Sequence, residues 1–240
     1  MKRDGELGRL QQIRTASAAL SVQTAALPHL VRGLRRNSNS NGSVGAAPVP
    51  PDSRLCRDAL EEATEVLTPA VLAHSLRCWE FGTALAKLDD LAPDPEALYL
   101  ACVLHDIGLG APADATTGCF ALLGAHRART FIVDRGATAE LGECVHIAIA
   151  RHMDPGTPRG CGAEAALLHD AAHLDVVGLR AHQLDPGLLA EIHARHGRNG
   201  FGGEFAAAMR QEARIRPRST AATLWRSGMP IAIALNPLDR

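Results

Sequence analysis

The chain of 240 residues is 46% hydrophobic and 21% charged, with a formal net charge of -1. That length accommodates one substantial core or two small ones. The near-neutral balance gives no electrostatic basis for nucleic acid or an anionic membrane as a partner, and no apolar run approaches the roughly 18 residues of a membrane span.

Residues 1–53 differ from the rest. The basic start lacks an apolar stretch behind it, which predicts no secretory signal. Cysteines 56, 78, 102, 119, 144 and 161 include no C-x-x-C pair, as expected of a reducing, cytoplasmic setting. Helix-compatible spacing over 14–36 ends on Arg32, Arg35 and Arg36. It runs into 37–52, where Asn, Ser, Gly and Pro dominate and too little apolar surface exists to offset chain entropy. A flexible extension and linker is therefore expected over 1–53, and one helical domain over 54–240.

From Arg54 onward the apolar residues recur at three- and four-residue spacing. The predicted helices are 55–67, 69–88 (opened by Thr68-Pro69), 93–109, 120–134, 138–153, 163–179, 185–196 and 203–215. Only 229–235 looks extended. The fold class is all-α, with about seven or eight helices.

Several polar residues fall on these apolar helices. His74 and Arg77 share one face of the second, three residues apart. In the third, an apolar run delivers His105 and Asp106 side by side and stops at Gly108. Neighbours project roughly 100° apart on a helix, so both reach one ion only near a helix end. Asp175 lies among Ala172, Leu174 and Val176, where a free carboxylate is costly to bury and a cation would offset that cost. His169-Asp170 repeats the dyad but sits out of phase with Asp175, which assigns it to a more solvated face. His126, His146, His173, His182, His193 and His196 read as surface or capping residues. His152 falls at a helix mouth, a favourable place for an imidazole used in proton transfer.

The order His74, His105-Asp106, Asp175 on successive helices resembles the H…HD…D pattern of the HD-domain metal-dependent hydrolase superfamily. His74-Ser-Leu-Arg77, Leu104-His-Asp-Ile-Gly108, 120–125, Ala148-Ile-Ala-Arg-His152, Leu174-Asp-Val-Val-Gly-Leu179 and Phe205-Ala-Ala-Ala-Met-Arg210 are similar to landmarks of its cyanamide hydratase-like branch. The resemblance implies a catalytic domain over 54–240 whose metal ligands are His74, His105, Asp106 and Asp175. It also implies catalytic roles for His152 and Asp106 and substrate contacts from Arg77, Phe120 and His152.

Such a mixed nitrogen and oxygen set suits one divalent ion, zinc before iron(II) or manganese(II), which would activate water for hydration of a small nitrile-type compound. The alternatives are a phosphohydrolase, with Arg127, Arg129 and Arg151 as phosphate-binding residues, and a metal- or ligand-binding module without turnover. One departure bears on the substrate: Ala121 stands where members of the branch often carry glutamate. The expected partner is a small molecule, with neither nucleic acid nor membrane. A homo-oligomer contact through 231–235 also fits the sequence.

Overall fold

The computed structural model describes residues 3–33, 47–113 and 115–239, with side chains described outside 26–33. Every strong start signal in the sequence is used. Ser53, Thr68, Asp94, Thr138, Asp185 and Ser219 each accept a backbone N–H two or three residues on, and Pro69, Pro95 and Pro186 occupy first-turn positions where no amide bond is lost. The helices are α1 (Arg9–Gly33), α2 (Arg54–Val66), α3 (Pro69–Leu88), α4 (Pro95–Leu104), α5 (Phe120–Asp134), α6 (Ala139–Arg151), α7 (Ala163–Val177), α8 (Pro186–Arg195), α9 (Phe201–Ile215), α10 (Thr220–Arg226) and α11 (Met229–Ala234). The all-α class holds, with eleven α-helices rather than seven or eight and no strand among the described residues. None of these helices is long and apolar enough to cross a membrane.

α4 is apolar on every side, and each residue from Ala97 to Leu104 is buried, so it sits at the centre as such a helix must. α2, α3, α6 and α7 pack around it. A second cluster gathers Phe120, Val176, Phe201, Phe205, Met209, Leu224, Met229 and Ile233 at the ends of these helices. The metal-type residues lie where the two clusters meet.

Four expectations need correction. The third predicted helix stops at Leu104 instead of 109, because the chain turns on i→i+3 bonds (Ile107 N–H to Leu104 O, Leu109 N–H to Asp106 O) and reaches Gly110 at φ 75°. The stretch read as extended, 229–235, is helix α11 up to Ala234: Gly228, at φ 103°, sets the turn and Pro230 fits the first turn. His169 and Asp170 are buried rather than solvated. The expected looseness of 1–53 does not extend to residues 3–25. Asp4 forms a parallel bridge with Thr117, Leu7 N–H donates to Arg218 O, and α1 packs on α10. The basic residues Arg32, Arg35 and Arg36 and the linker positions 37–46 lie outside the described side chains.

Candidate metal centre

The turn after α4 is shaped by a pair of glycines. A Cβ built on Gly108 would stand 2.3 Å from Phe120 O and 2.7 Å from Gly124 N, so the turn and the first turn of α5 meet backbone to backbone. Leaving the helix at Leu104 lets His105 and Asp106 face one point, which an ideal helix forbids. α3 brings His74 to the same point, and the end of α6 brings His152.

Three imidazoles converge there, each with its Nδ1 bonded away from the common point. His105 Nδ1 donates to Cys102 O (2.8 Å), His152 Nδ1 to Ile149 O (2.6 Å) and His74 Nδ1 to Asp175 Oδ2 (2.7 Å). Each bond fixes the tautomer and leaves Nε2 as a lone pair. His105 Nε2 lies 3.2 Å from His74 Nε2 and 3.2 Å from Asp106 Oδ2, and His74 Nε2 is 3.9 Å from that oxygen. His152 Nε2 stands 3.7 Å from Asp106 Oδ1. Donors bound about 2.1 Å from one ion sit about 3.0–3.4 Å apart, which the His74–His105 and His105–Asp106 pairs match, while the His74–Asp106 pair at 3.9 Å is wider. Asp106 is fully buried and neither of its oxygens has a hydrogen-bond partner. A buried carboxylate facing three lone pairs is unstable unless a cation joins it, and this is the physical basis for placing a divalent metal here.

Burial lowers the basicity of His74, against the pull of Asp175, and takes His152 down to about 3 with help from the charge of His105. Burial acts the same way on His105, but Asp106 outweighs it and raises that imidazole. For Asp106, burial raises the carboxyl, and the charge and contact of His105 prevail to hold it below the usual range.

Asp175 takes a different place from the one implied by the H…HD…D pattern. Arg77 grips both its oxygens (Nε to Oδ1 and Nη2 to Oδ2, each 2.8 Å), Arg198 donates to Oδ1 and to the Asp175 carbonyl, and His74 takes Oδ2. Two guanidiniums offset its burial. Burial itself raises this carboxyl, yet the bonds from His74 and Arg77 hold it well below the usual range. The geometry makes it the orienter of His74.

Arg77 is fully buried, spending its remaining nitrogen on the carbonyls of His196 and Gly197, while Glu80 pairs with Arg195 and His196. Arg77 therefore does not face the cavity. Phe120 does not line it either; its ring edge supports His152, centroids 5.7 Å apart. Ala121 is fully buried beside it. Cys78 Sγ is 3.7 Å from both nitrogens of His74, so it lies over the ring and off the Nε2 lone pair.

A cavity of about 20 Å³ opens on His74, His105, Asp106 and His152, with walls from Met153, Met229 and the α7 stripe Ala172, His173, Val176 and Val177. That is room for one or two waters. His173 was read as a surface residue, and its 173/177 spacing on one α7 face was the available signal. Phe201, stacked on His74 at 4.8 Å and lying under Arg77 and Arg198 at 4.9 and 5.3 Å, was also missed. It carries no local signal, since its partners are distant in sequence. His169-Asp170, the second dyad, is fully partnered: His169 bridges Asp170 and Asp154 O, and Asp170 also accepts from Thr157 and Arg180.

The family model for the HD domain matches residues 71–158. Two curated relatives, Cyanamide hydratase DDI2 and Cyanamide hydratase DDI3 of Saccharomyces cerevisiae, are each 33% identical over 138 residues, covering 54% of this chain and 59% of theirs. The chain thus spans under two thirds of the relatives it matches. The donor cluster thus lies inside the stretch that matches the HD-domain model, and over part of its length the chain is similar to the yeast cyanamide hydratases.

Proposed function

We propose that the protein is a single-metal hydratase that adds water across the carbon–nitrogen bond of a small uncharged nitrile-type compound such as cyanamide. The observation that carries this reading is the cavity, which is tiny, apolar-walled and free of any cationic side chain above His74, His105 and Asp106. A divalent ion at those donors, zinc before iron(II) or manganese(II), would supply a Lewis acid and make water more acidic. His152, its Nδ1 fixed on Ile149 O, presents Nε2 to accept a hydrogen bond from that water and orient it. Asp175 holds His74 in register from behind.

Phosphate esters fit poorly. Arg127 is turned onto Ile107 O, Arg129 onto Glu143 and Arg151 onto Asp154, and Arg77 and Arg198 are committed to Asp175. The test sets cyanamide beside a panel of phosphate esters with metal-loaded protein: urea formation from cyanamide is expected. Turnover of the esters alone would reverse the assignment. Metal occupancy with no turnover of either would favour a binding module.

A further inference from the structure

We propose that the substrate reaches the donor cluster through a second cavity beneath α1, and that His173, Val177 and Met229 form the constriction between the two chambers. The inference rests on the first cavity being the reaction site. The second cavity, about 30 Å³, is lined by those same three residues on one side and by Ala19, Val22 and Gln23 of α1 on another. Three shared wall residues make the chambers neighbours separated by one layer of side chains. The roof therefore comes from the N-terminal segment, outside the matched stretch 71–158.

The constriction has one fixed side and two softer ones. His173 Nδ1 donates to His169 O (2.8 Å), and its ring stacks on His169 with centroids 4.1 Å apart. His169 is itself held between Asp170 and Asp154 O, so the His173 ring has little freedom. Met229 is unbranched and adaptable, and Val177 is short. The buried second dyad thereby gains a role: it sets one jamb of the passage. With Nδ1 committed, Nε2 is the His173 atom left to accept a hydrogen bond, and Gln23 supplies an amide on the α1 side. An apolar passage with one acceptor and one amide admits small molecules, those bearing N–H groups best, and excludes bulky esters, whose desolvation goes uncompensated.

α1 is seated rather than appended. It packs on α10 and on the Ala181–Gln183 turn, and Ala19 is 4% exposed. Enlarging a residue on its inner face should plug the passage without touching a donor. Cobalt(II)-substituted full-length protein is mixed with azide, and its arrival at the metal is followed by stopped-flow absorption. Ala19→Trp and Val22→Trp should slow arrival at least tenfold at normal cobalt content, while Leu20→Trp, on the exposed side of α1, should match the wild type. Val22 is half-buried, so its variant keeps the test open if Ala19→Trp fails to fold. Unchanged rates in a folded inner-face variant with normal cobalt would overturn the passage alone. A wild-type cobalt protein without an azide-induced spectral change would overturn the passage together with the site it serves.

Discussion

Asp106 and Asp175 are both buried carboxylates on the H…HD…D pattern, yet their surroundings divide their work. Asp106 has no hydrogen-bond partner, and Asp175 has three cationic or imidazole partners. The His105→Ala, Asp106→Ala variant should fall from about one divalent ion per chain to near none by elemental analysis; normal content would sink the site. Asp175→Asn leaves Arg77 and Arg198 without their buried counter-charge, which should cost about 3–5 kcal/mol in denaturant unfolding. It should also weaken metal binding about 10–100-fold, because His74 loses its orienting partner.

Asp170 provides a pH readout away from the centre. Burial raises its carboxyl, but His169, Thr157 and Arg180 lower it further, to about 2. The folded value lies below that of an ordinary aspartate, about 3.9, so the stabilisation is fully present above the unfolded value and is lost as pH falls through about 2. The stability gap between wild type and Asp170→Asn should be about 2 kcal/mol near pH 6 and close as the pH falls from about 4 towards 2.

At the scale of elements, the sequence was most legible where a cap, a proline and an apolar face agree. α3 and α5 begin and end where spacing predicts, and the Leu104-His-Asp-Ile-Gly108 landmark falls at a turn. It was least legible where a long-range contact decides. The overrun of α4 to residue 109 reflects a stop made by glycine and by α5 pressing on the turn, not by the apolar pattern. The helix α11 was mistaken because a six-residue apolar run fits either period. Among the candidate site residues, His74, His105, Asp106 and His152 lie around one cavity. Arg77 and Phe120 moved behind them, since a spacing rule gives a face but no partner.

The glycine pair yields a prediction at this scale. Gly108→Ala places a Cβ against Phe120 O at 2.3 Å and cannot be relieved by a side-chain rotation. Gly124→Ala meets nothing nearer than 3.2 Å. Thermal melts should rank Gly108→Ala as the more destabilised, by about 1–3 kcal/mol over wild type. The reverse order would show that the turn and α5 separate more easily than their backbone contact implies.

For the whole molecule, the N-terminal strap is part of the architecture. Asp4 N–H donates to Thr116 O (2.8 Å) and Asp4 O accepts from Gly118 N–H (2.7 Å), so residues 3–7 stitch the connection between the metal-type turn and α5. Removing residues 1–7 should speed amide exchange at Gly118 in hydrogen-exchange mass spectrometry, as its acceptor is gone. Unchanged exchange would mean that this connection holds itself. The strap and α1 were legible only as a compositionally distinct segment, because their anchors, Thr117, Arg218 and α10, lie more than 100 residues away.

The arginine clamp on Asp175 also fixes the charge of the centre. Arg77 and Arg198 together cancel Asp175 and Asp106, leaving the buried surroundings formally neutral, while Asp239, which also pairs with Arg198, is a third exposed and largely screened. A dication entering that neutral cage keeps almost all of its charge unanswered by protein. In a low-dielectric interior such an excess attracts one small anion strongly. An ion held there would draw negative charge inward, through walls that admit little that is larger than water.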